Sequence, residues 1–335
     1  MDFRTVVPPV EGKRGLVRHG EPILLVGSCF SDNIGSCLVS ELFEADVNPF
    51  GPLYNPLSIS KAFELLAGRG EVPASTLVMR DGAWVSTLFH SRVSDADRDA
   101  ALGKMNRAVN ESAATLRSAS VVIITLGTTR VFTLRDCGSV VANCHKLPGS
   151  MFDVRYLTLE EVTEALRSIL SSIRSVNAEA EVLFTVSPLR YSEHGPHGNQ
   201  LSKATLLLGI DSLIRSSSDP KVSYFPAYEV MMDDLRDYRF YAEDMKHPTQ
   251  QAVRYIYDLF KTSYFDEETL RLAGDAASLT RRLAHRTLTA SPDAAAREAA
   301  GKTALADAFT GRFPKLKRAC ARYLSIILND GIQHF

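Results

Sequence analysis

The sequence predicts an α/β protein whose central, mainly parallel sheet is covered by helices on both faces. Three observations carry that expectation. Apolar runs of strand length recur at Pro22–Gly27, Ser120–Leu126 and Glu181–Ser187. Between them lie stretches whose apolar residues recur at helical spacing. Gly, Pro, Asn and Asp cluster at the joints, where the chain must turn. Continuous apolar strands alternating with helices are the pattern of a parallel sheet buried on both sides.

Residues 1–20 read as an irregular lead-in. The first strand covers about 22–27, and behind it Ile34, Cys37, Leu38 and Leu42 share a helical face over about 31–43. Phe43–Val47 is expected as a second short strand. In the turn-rich loop 48–56, Asn55 is placed to cap and Pro56 to open a helix running to about Leu66. Asp81-Gly82, between Thr76–Arg80 and Ala83–Thr87, signals a hairpin outside the main sheet. A helix is expected over 95–118, then the buried strand Ser120–Leu126, then a second hairpin from Val131–Leu134 to Val140–Ala142. Thr158 and Glu161 form a capping box that opens a helix to about Ser175. The strand Glu181–Ser187, a helix over 200–216 and a short strand Val222–Phe225 follow. Pro248 opens a helix ending near Tyr264, and everything from 266 onward reads as helix. The chain divides accordingly into a main unit, residues 1–265, and a helical C-terminal extension, 266–335.

Composition narrows the functional classes. The chain has 335 residues, 45% hydrophobic and 23% charged, enough to bury a large core. Its net charge of -1 gives no footprint for nucleic acid. No apolar stretch reaches the roughly 20 residues that span a bilayer, so no membrane association is expected. The opening Met1-Asp2-Phe3-Arg4-Thr5 lacks the apolar segment of a secretory signal, which makes the cytoplasm the expected compartment. Five cysteines, widely spaced and without a Cys-x-x-Cys pair, indicate neither a disulfide framework nor a zinc site. Charge is uneven in one place: residues 271–323 carry 11 Lys/Arg against four Asp/Glu. A solvated helical face is the expectation there; a docking surface for an acidic partner or anionic substrate is the alternative.

In such sheets ligands bind beyond the carboxyl ends of the strands. Those ends are Gly27-Ser28-Cys29, Leu126-Gly127-Thr128-Thr129 and Val186-Ser187-Pro188. The first is a strand–turn–helix joint bearing two nucleophiles, Ser28 and Cys29, at the free N–H groups of a helix. Asp244 and His247, just before another helix, supply a base with an orienting carboxylate; Asp237 and Glu243 compete for the carboxylate role. His194-Gly195-Pro196-His197 lacks a third ligand and is expected to be a flexible loop, so no metal is expected. Asn143-Cys144-His145-Lys146 reads either as a turn with a satisfied histidine or as a substrate contact, with Asn143 an alternative oxyanion donor. His90, closing the first hairpin, and Lys203, expected near a helix start where it can hold a phosphate or carboxylate, are further substrate-binding candidates.

These residues bring a resemblance with them. Gly27-Ser28-Cys29-Phe30, Asn48-Pro49-Phe50-Gly51, Tyr54-Asn55-Pro56, Thr125-Leu126-Gly127-Thr128, Asn143-Cys144-His145-Lys146, Thr185-Val186-Ser187-Pro188, Ser202-Lys203-Ala204 and the run from Leu235 into Asp244 and His247 resemble the GSCFA family. That family is a branch of the SGNH/GDSL hydrolases, and the resemblance covers about residues 20–265. It implies a flavodoxin-like three-layer sandwich of the SGNH type. Aligned on the superfamily's Gly-Asp-Ser block, Gly27 matches the Gly, Ser28 the Asp and Cys29 the catalytic Ser. Cys29 thus becomes the implied nucleophile, with Ser28 the fallback, and a helix end and nearby imidazole are expected to lower its pKa. His247 is the implied base and Asp244 its orienting partner. The implied oxyanion donors are the Cys29 N–H, the Gly51 N–H and, where the superfamily has an asparagine, Thr129.

The implied function is hydrolysis or transfer of an acyl group, acetyl foremost, on a carbohydrate or similar small hydroxylated substrate. No cofactor is expected; a coenzyme A thioester as acyl donor stays open. A homodimer through the C-terminal helices is the expected assembly. Ser28 where the superfamily has Asp, and Thr129 where it has Asn, motivate two alternatives: an inactive ligand-binding module on the same fold, and a scaffold that assembles partners on its helical tail.

Overall fold

The computed structural model describes residues 5–68, 70–191, 193, 195–285 and 292–329. Five strands make the central sheet: β1 (Ile23–Gly27), β2 (Ala45–Val47), β5 (Val121–Leu126), β9 (Glu181–Val186) and β10 (Val222–Phe225). They run parallel in the order β10-β9-β5-β1-β2. Counting only these five, the order is 2-1-3-4-5, that of a flavodoxin-like doubly wound sheet, whose switch point lies between β1 and β5.

The period of two along each strand assigns residues to faces. Leu24, Val26, Val122, Ile124, Val182 and Phe184 point to one apolar cluster. It is closed by α2 (Pro56–Gly68), α3 (Arg98–Ser118), α4 (Leu159–Val176) and α5 (Gly195–Ser216). Ile23, Leu25, Val121, Ile123 and Leu183 point the other way. There α1 (Cys29–Ser40) and α7 (Gln250–Tyr264) cover them with Phe30, Ile34, Ile256 and Phe260. Helix, sheet and helix form the three layers.

The expected capping box is present: the Thr158 hydroxyl accepts from Glu161 N–H and the Glu161 carboxylate accepts from Thr158 N–H. Asn55 caps α2 by accepting from Ser58 N–H at 2.9 Å. The hairpin β3 (Leu77–Arg80) and β4 (Ala83–Ser86) turns on Asp81 and Gly82, both left-handed. The second excursion has β6 (Arg130–Leu134), β7 (Val140–Val141) and a further strand, β8 (Phe152–Tyr156), that pairs with β6. Beyond β10 a short segment, α6 (Ala227–Glu229), continues through a wide turn at Val230–Asp234.

Two expectations are corrected here. The stretch from Gly195 is the first turn of α5, because proline fits a helix's opening position, where its missing N–H costs nothing; His194 lies outside the described residues. The last helix of the main unit is capped by Thr249, so Pro248 precedes it and pairs with Tyr241.

The extension consists of α8 (Glu267–Ala284), α9 (Pro292–Arg312) and α10 (Lys317–Asn329). Its cluster of Leu272, Ala276, Leu279, Leu316 and Cys320 takes in Leu42 from the end of α1. The Thr280 hydroxyl donates to the Ser40 carbonyl at 2.6 Å, and Arg322 donates to the Ala45 carbonyl at 3.1 Å. None of the helices, among the described residues, is long and apolar enough to cross a membrane.

Candidate active site

The joint between β1 and α1 is fixed from several sides. Gly27 adopts φ 154°, and a Cβ there would lie 2.3 Å from the Thr125 carbonyl oxygen, so only glycine lets β5 approach. Ser28 is the helix cap: its hydroxyl accepts from Phe30 N–H at 3.3 Å, and the residue is fully buried. Asn48, buried and left-handed at φ 45°, braces the joint from the next loop. Its Oδ1 accepts from Gly27 N–H at 2.8 Å, and its Nδ2 donates to the Ser28 carbonyl at 3.3 Å and to Asp32 Oδ1 at 2.8 Å.

Cys29 follows as the first residue of α1 and is half-buried. Burial pushes its thiol up to about 11, and the carboxylate of Asp32 pushes the same way. Its own N–H, the Phe30 N–H and the Lys203 charge act in the opposite direction and are outweighed. The expected lowering is therefore corrected: desolvation by the packed joint exceeds what the helix end supplies. No hydrogen bond joins the Cys29 sulfur to the His247 ring among the described residues.

Asp32 sits one helical turn beyond Cys29 and belongs to a polar cluster that the sequence did not single out. Arg92 lies 3.8 Å from it and donates to the Asn48 carbonyl at 2.7 Å. Burial holds the Asp32 carboxyl above its ordinary range, against the Asn48 hydrogen bond and the Arg92 and His90 charges. Burial and Arg92 together hold the His90 imidazole low. Tyr54 and Tyr191 meet edge to face, 6.0 Å between ring centres, and both feel the Cys29 charge. The spacing Cys29-x-x-Asp32, which shares one helix face, is the sequence signal for this cluster.

Two of the expected donors, Gly51 and Thr129, are used within the protein. The Gly51 N–H closes a turn onto the Asn48 carbonyl at 2.7 Å. Gly51 itself is left-handed at φ 74°, and a Cβ would meet His90 Cβ at 2.2 Å. Thr129 gives its N–H to the Ser202 hydroxyl at 2.8 Å and its own hydroxyl to the same atom at 3.1 Å. The Asn143 Oδ1 accepts from His145 N–H at 2.7 Å. His145 is buried, with Nε2 2.7 Å from the Ser86 carbonyl. The tetrad is a turn in which the His145 ring is paired on one side only, because its Nδ1 is buried without a partner.

Lys203 is displaced from its expected setting as well. It lies well inside α5 and is 1% exposed. Its ammonium donates to the carbonyls of Gly127 and Ser187, each at 2.7 Å, which leaves no open face for a phosphate. Burial brings its pKa down to about 7.

Asp244 and His247 form a preorganised pair in the loop before α7. Asp244 Oδ1 accepts from the N–H groups of Lys246 and His247, at 2.9 and 3.0 Å. Its Oδ2 meets His247 Nδ1 at 2.5 Å. These bonds, the His247 N–H first, hold the Asp244 carboxyl well below the usual carboxylate range. With Nδ1–H turned to the carboxylate, Nε2 carries the lone pair. Both side chains are exposed, and the Arg190 N–H ties the loop to the end of β9 through the Lys246 carbonyl at 3.0 Å. Beside them opens a cleft of about 540 Å³ lined by Arg190, Gln200, Tyr228, Asp237, Tyr238 and Tyr241. No group of His, Cys, Asp and Glu able to hold a metal occurs among the described residues.

Fold and joint together define a flavodoxin-like α/β protein with a cysteine at the tip of its first strand. The chain belongs to the GSCFA family, which it matches over residues 22–260. No curated protein matches it. Among solved structures, the acetyl xylan esterase Est2A from the rumen bacterium Butyrivibrio proteoclasticus is similar at 12% identity and a TM-score of 0.37. The match covers 77% of this chain and 65% of that one, a likeness too loose to bear on activity.

Proposed function

We propose that the protein is an acyl-handling enzyme, an ester hydrolase or O-acyltransferase, with Cys29 as nucleophile and the Asp244–His247 pair as base. One observation carries this reading: the two nucleophiles of the joint have different tasks. Ser28 is fully buried and its hydroxyl is used as the helix cap, whereas Cys29, the first residue of the helix, is only partly buried. The preformed Asp244–His247 pair, tied to the tip of β9, supports it.

In the reaction, His247 Nε2 takes the thiol proton, and the sulfur attacks the acyl carbonyl. The Cys29 N–H receives the developing oxyanion at the helix N-terminus. Collapse of the tetrahedral intermediate returns the proton to the departing hydroxyl and leaves a thioester. Water or a second hydroxyl then releases the acyl group. Because the thiol is held up near 11, it is protonated at neutral pH, so a base is required and the imidazole supplies it. The substrate is an acyl ester, acetyl foremost, of a carbohydrate or similar small hydroxylated molecule.

Turnover of p-nitrophenyl acetate, with and without a coenzyme A thioester and sugar acceptors, tests this reading. Cys29→Ala and His247→Ala should each lose at least about a hundredfold, whereas Ser28→Ala should retain chemistry and lose about 1 kcal/mol of stability. A second reading, an inactive binding module, is favoured by the raised thiol beside Asp32. Absence of turnover together with equal alkylation of all five cysteines would select it.

A further inference from the structure

The chain beyond the carboxyl ends of β9 and β10 encloses the cleft of about 540 Å³, a size that holds a small ligand. Arg190 enters it from the end of β9, Gln200 from the start of α5, and Tyr228, Arg236, Tyr238 and Tyr241 from the segment after β10. Three contacts join it to the Asp244–His247 loop. Arg190 N–H donates to the Lys246 carbonyl at 3.0 Å, Ala242 N–H donates to the His247 carbonyl at 2.8 Å, and Tyr241 bridges to Pro248. In the sheet, β9 stands two strands from β1, ~10 Å at the usual strand spacing. A substituted sugar covers that span.

Arg190 is half-buried, and its guanidinium carbon lies 4.6 Å from the Tyr241 ring centre and 5.4 Å from that of Tyr238. Rings take the faces of a guanidinium, whereas its N–H groups fork outward in the plane that matches a carboxylate or a phosphate. Among the described residues no carboxylate lies within ion-pair distance of Arg190, nor of Arg236 on the rim. The two carboxylates of the lining leave that charge standing. Asp237 accepts from Arg239 N–H at 3.0 Å and pairs with its guanidinium at 3.7 Å, and Asp233 is exposed. Tyr228 Oη donates to Gln200 Oε1 at 2.7 Å, so the amide N–H groups and the phenol oxygen's lone pairs remain for hydroxyls. Tyr238 is 65% exposed and offers an aromatic surface at the rim, against which the C–H face of a sugar packs. We propose that this cleft is the carbohydrate subsite of the protein and selects sugars that bear an anionic group, with Arg190 receiving the carboxylate or phosphate. This rests on the reading of the protein as an acyl-handling enzyme whose ester is carried by a carbohydrate.

The test is titration calorimetry of the full chain with glucuronic acid, glucose 6-phosphate and glucose at low ionic strength. At least one anionic sugar should bind about tenfold or more tightly than glucose, and added salt should narrow the gap. Which of the two binds better tells a carboxylate from a phosphate. Arg190→Met should bring the anionic sugar down to the affinity of glucose. Tyr238→Ala should weaken all three sugars. Should Arg190→Met not fold, Arg190→Lys keeps a charge without the fork and should shrink the preference severalfold. Equal affinity for charged and neutral sugars, a preference unchanged in the Arg190 variants, or no binding of either anion by about 10 mM overturns the proposal. Binding is read without turnover. A protein that binds an anionic sugar and releases no acyl group sinks only the reaction, and one that turns over esters without regard to charge sinks only the subsite.

Discussion

The Asn48 carboxamide accepts the Gly27 N–H at 2.8 Å, and through that bond the loop after β2 holds the end of β1 in place. The same side chain donates to Ser28 and Asp32, so one residue fixes strand, cap and first helical turn. Asn48→Ala leaves a buried N–H and a buried carbonyl without partners and should cost about 2–3 kcal/mol in urea unfolding. Turnover should fall with it, because the position of Cys29 depends on the joint. Wild-type stability in this variant would mean that the joint stands without its brace.

Asp32→Asn removes a negative charge beside the sulfur while an amide oxygen can still accept from Asn48. Asp32 raises the Cys29 pKa, so its neutralisation lowers it and enriches the thiolate. Alkylation at a fixed pH below the midpoint should accelerate about three- to tenfold. A slower reaction would show that Asp32 acts on Cys29 through the fold rather than through charge.

His19 gives the fold an acid-sensitive point away from the joint. It stacks on Phe43 with ring centres 3.9 Å apart, and its Nε2 lies 2.9 Å from the Glu41 carbonyl. Nδ1 is buried without a partner, so a second ring proton would find no acceptor. Burial brings the pKa down from 6.5 to about 4, with Lys315 adding to the fall and Asp266 and Glu268 opposing it. A folded pKa below the unfolded one means the contribution is complete above pH 6.5 and is lost as pH drops toward 4. The loss is on the order of 3 kcal/mol. His19→Phe should flatten the urea-midpoint profile across that window; an unaltered slope would assign the acid sensitivity elsewhere.

Much of this was legible in the sequence, for identifiable reasons. The runs Ile23–Gly27, Val121–Leu126 and Glu181–Val186 are buried almost throughout, so nothing polar interrupts their apolar signal. Strand β8 escaped because four of its five residues are exposed, so no core-facing alternation marks it. Lys203 was read as accessible, yet it lies on the buried stripe of α5 with Leu206, Ile210 and Leu213, and extending that stripe back would have placed it inside. Gly51 and Thr129 were read as open donors, but which carbonyl or hydroxyl each N–H meets is decided by loop geometry and not by residue type. The upward shift of Cys29 depends on burial by residues distant in sequence, which spacing within one turn does not encode.

The extension shields the end of α1. Leu42, left-handed at φ 58° and buried, packs among Leu272, Ala276 and Leu279. We propose that residues 1–265 carry the chemistry and that 266–335 brace them. Deleting the extension should lower stability by at least about 2 kcal/mol through exposure of Leu42 and its neighbours, and should raise binding of an apolar dye. An unchanged melting curve with no dye binding would make the extension an independent appendage.

The central claim is that an acyl group passes through the Cys29 sulfur. Mixing the protein with p-nitrophenyl acetate, quenching in acid and mapping the peptides by mass tests it most directly. The account predicts one acetyl group on the peptide carrying Cys29, released by hydroxylamine as a thioester is. Turnover with the acetyl group on Ser28, or with Cys29 unmodified at every quench time, would contradict it.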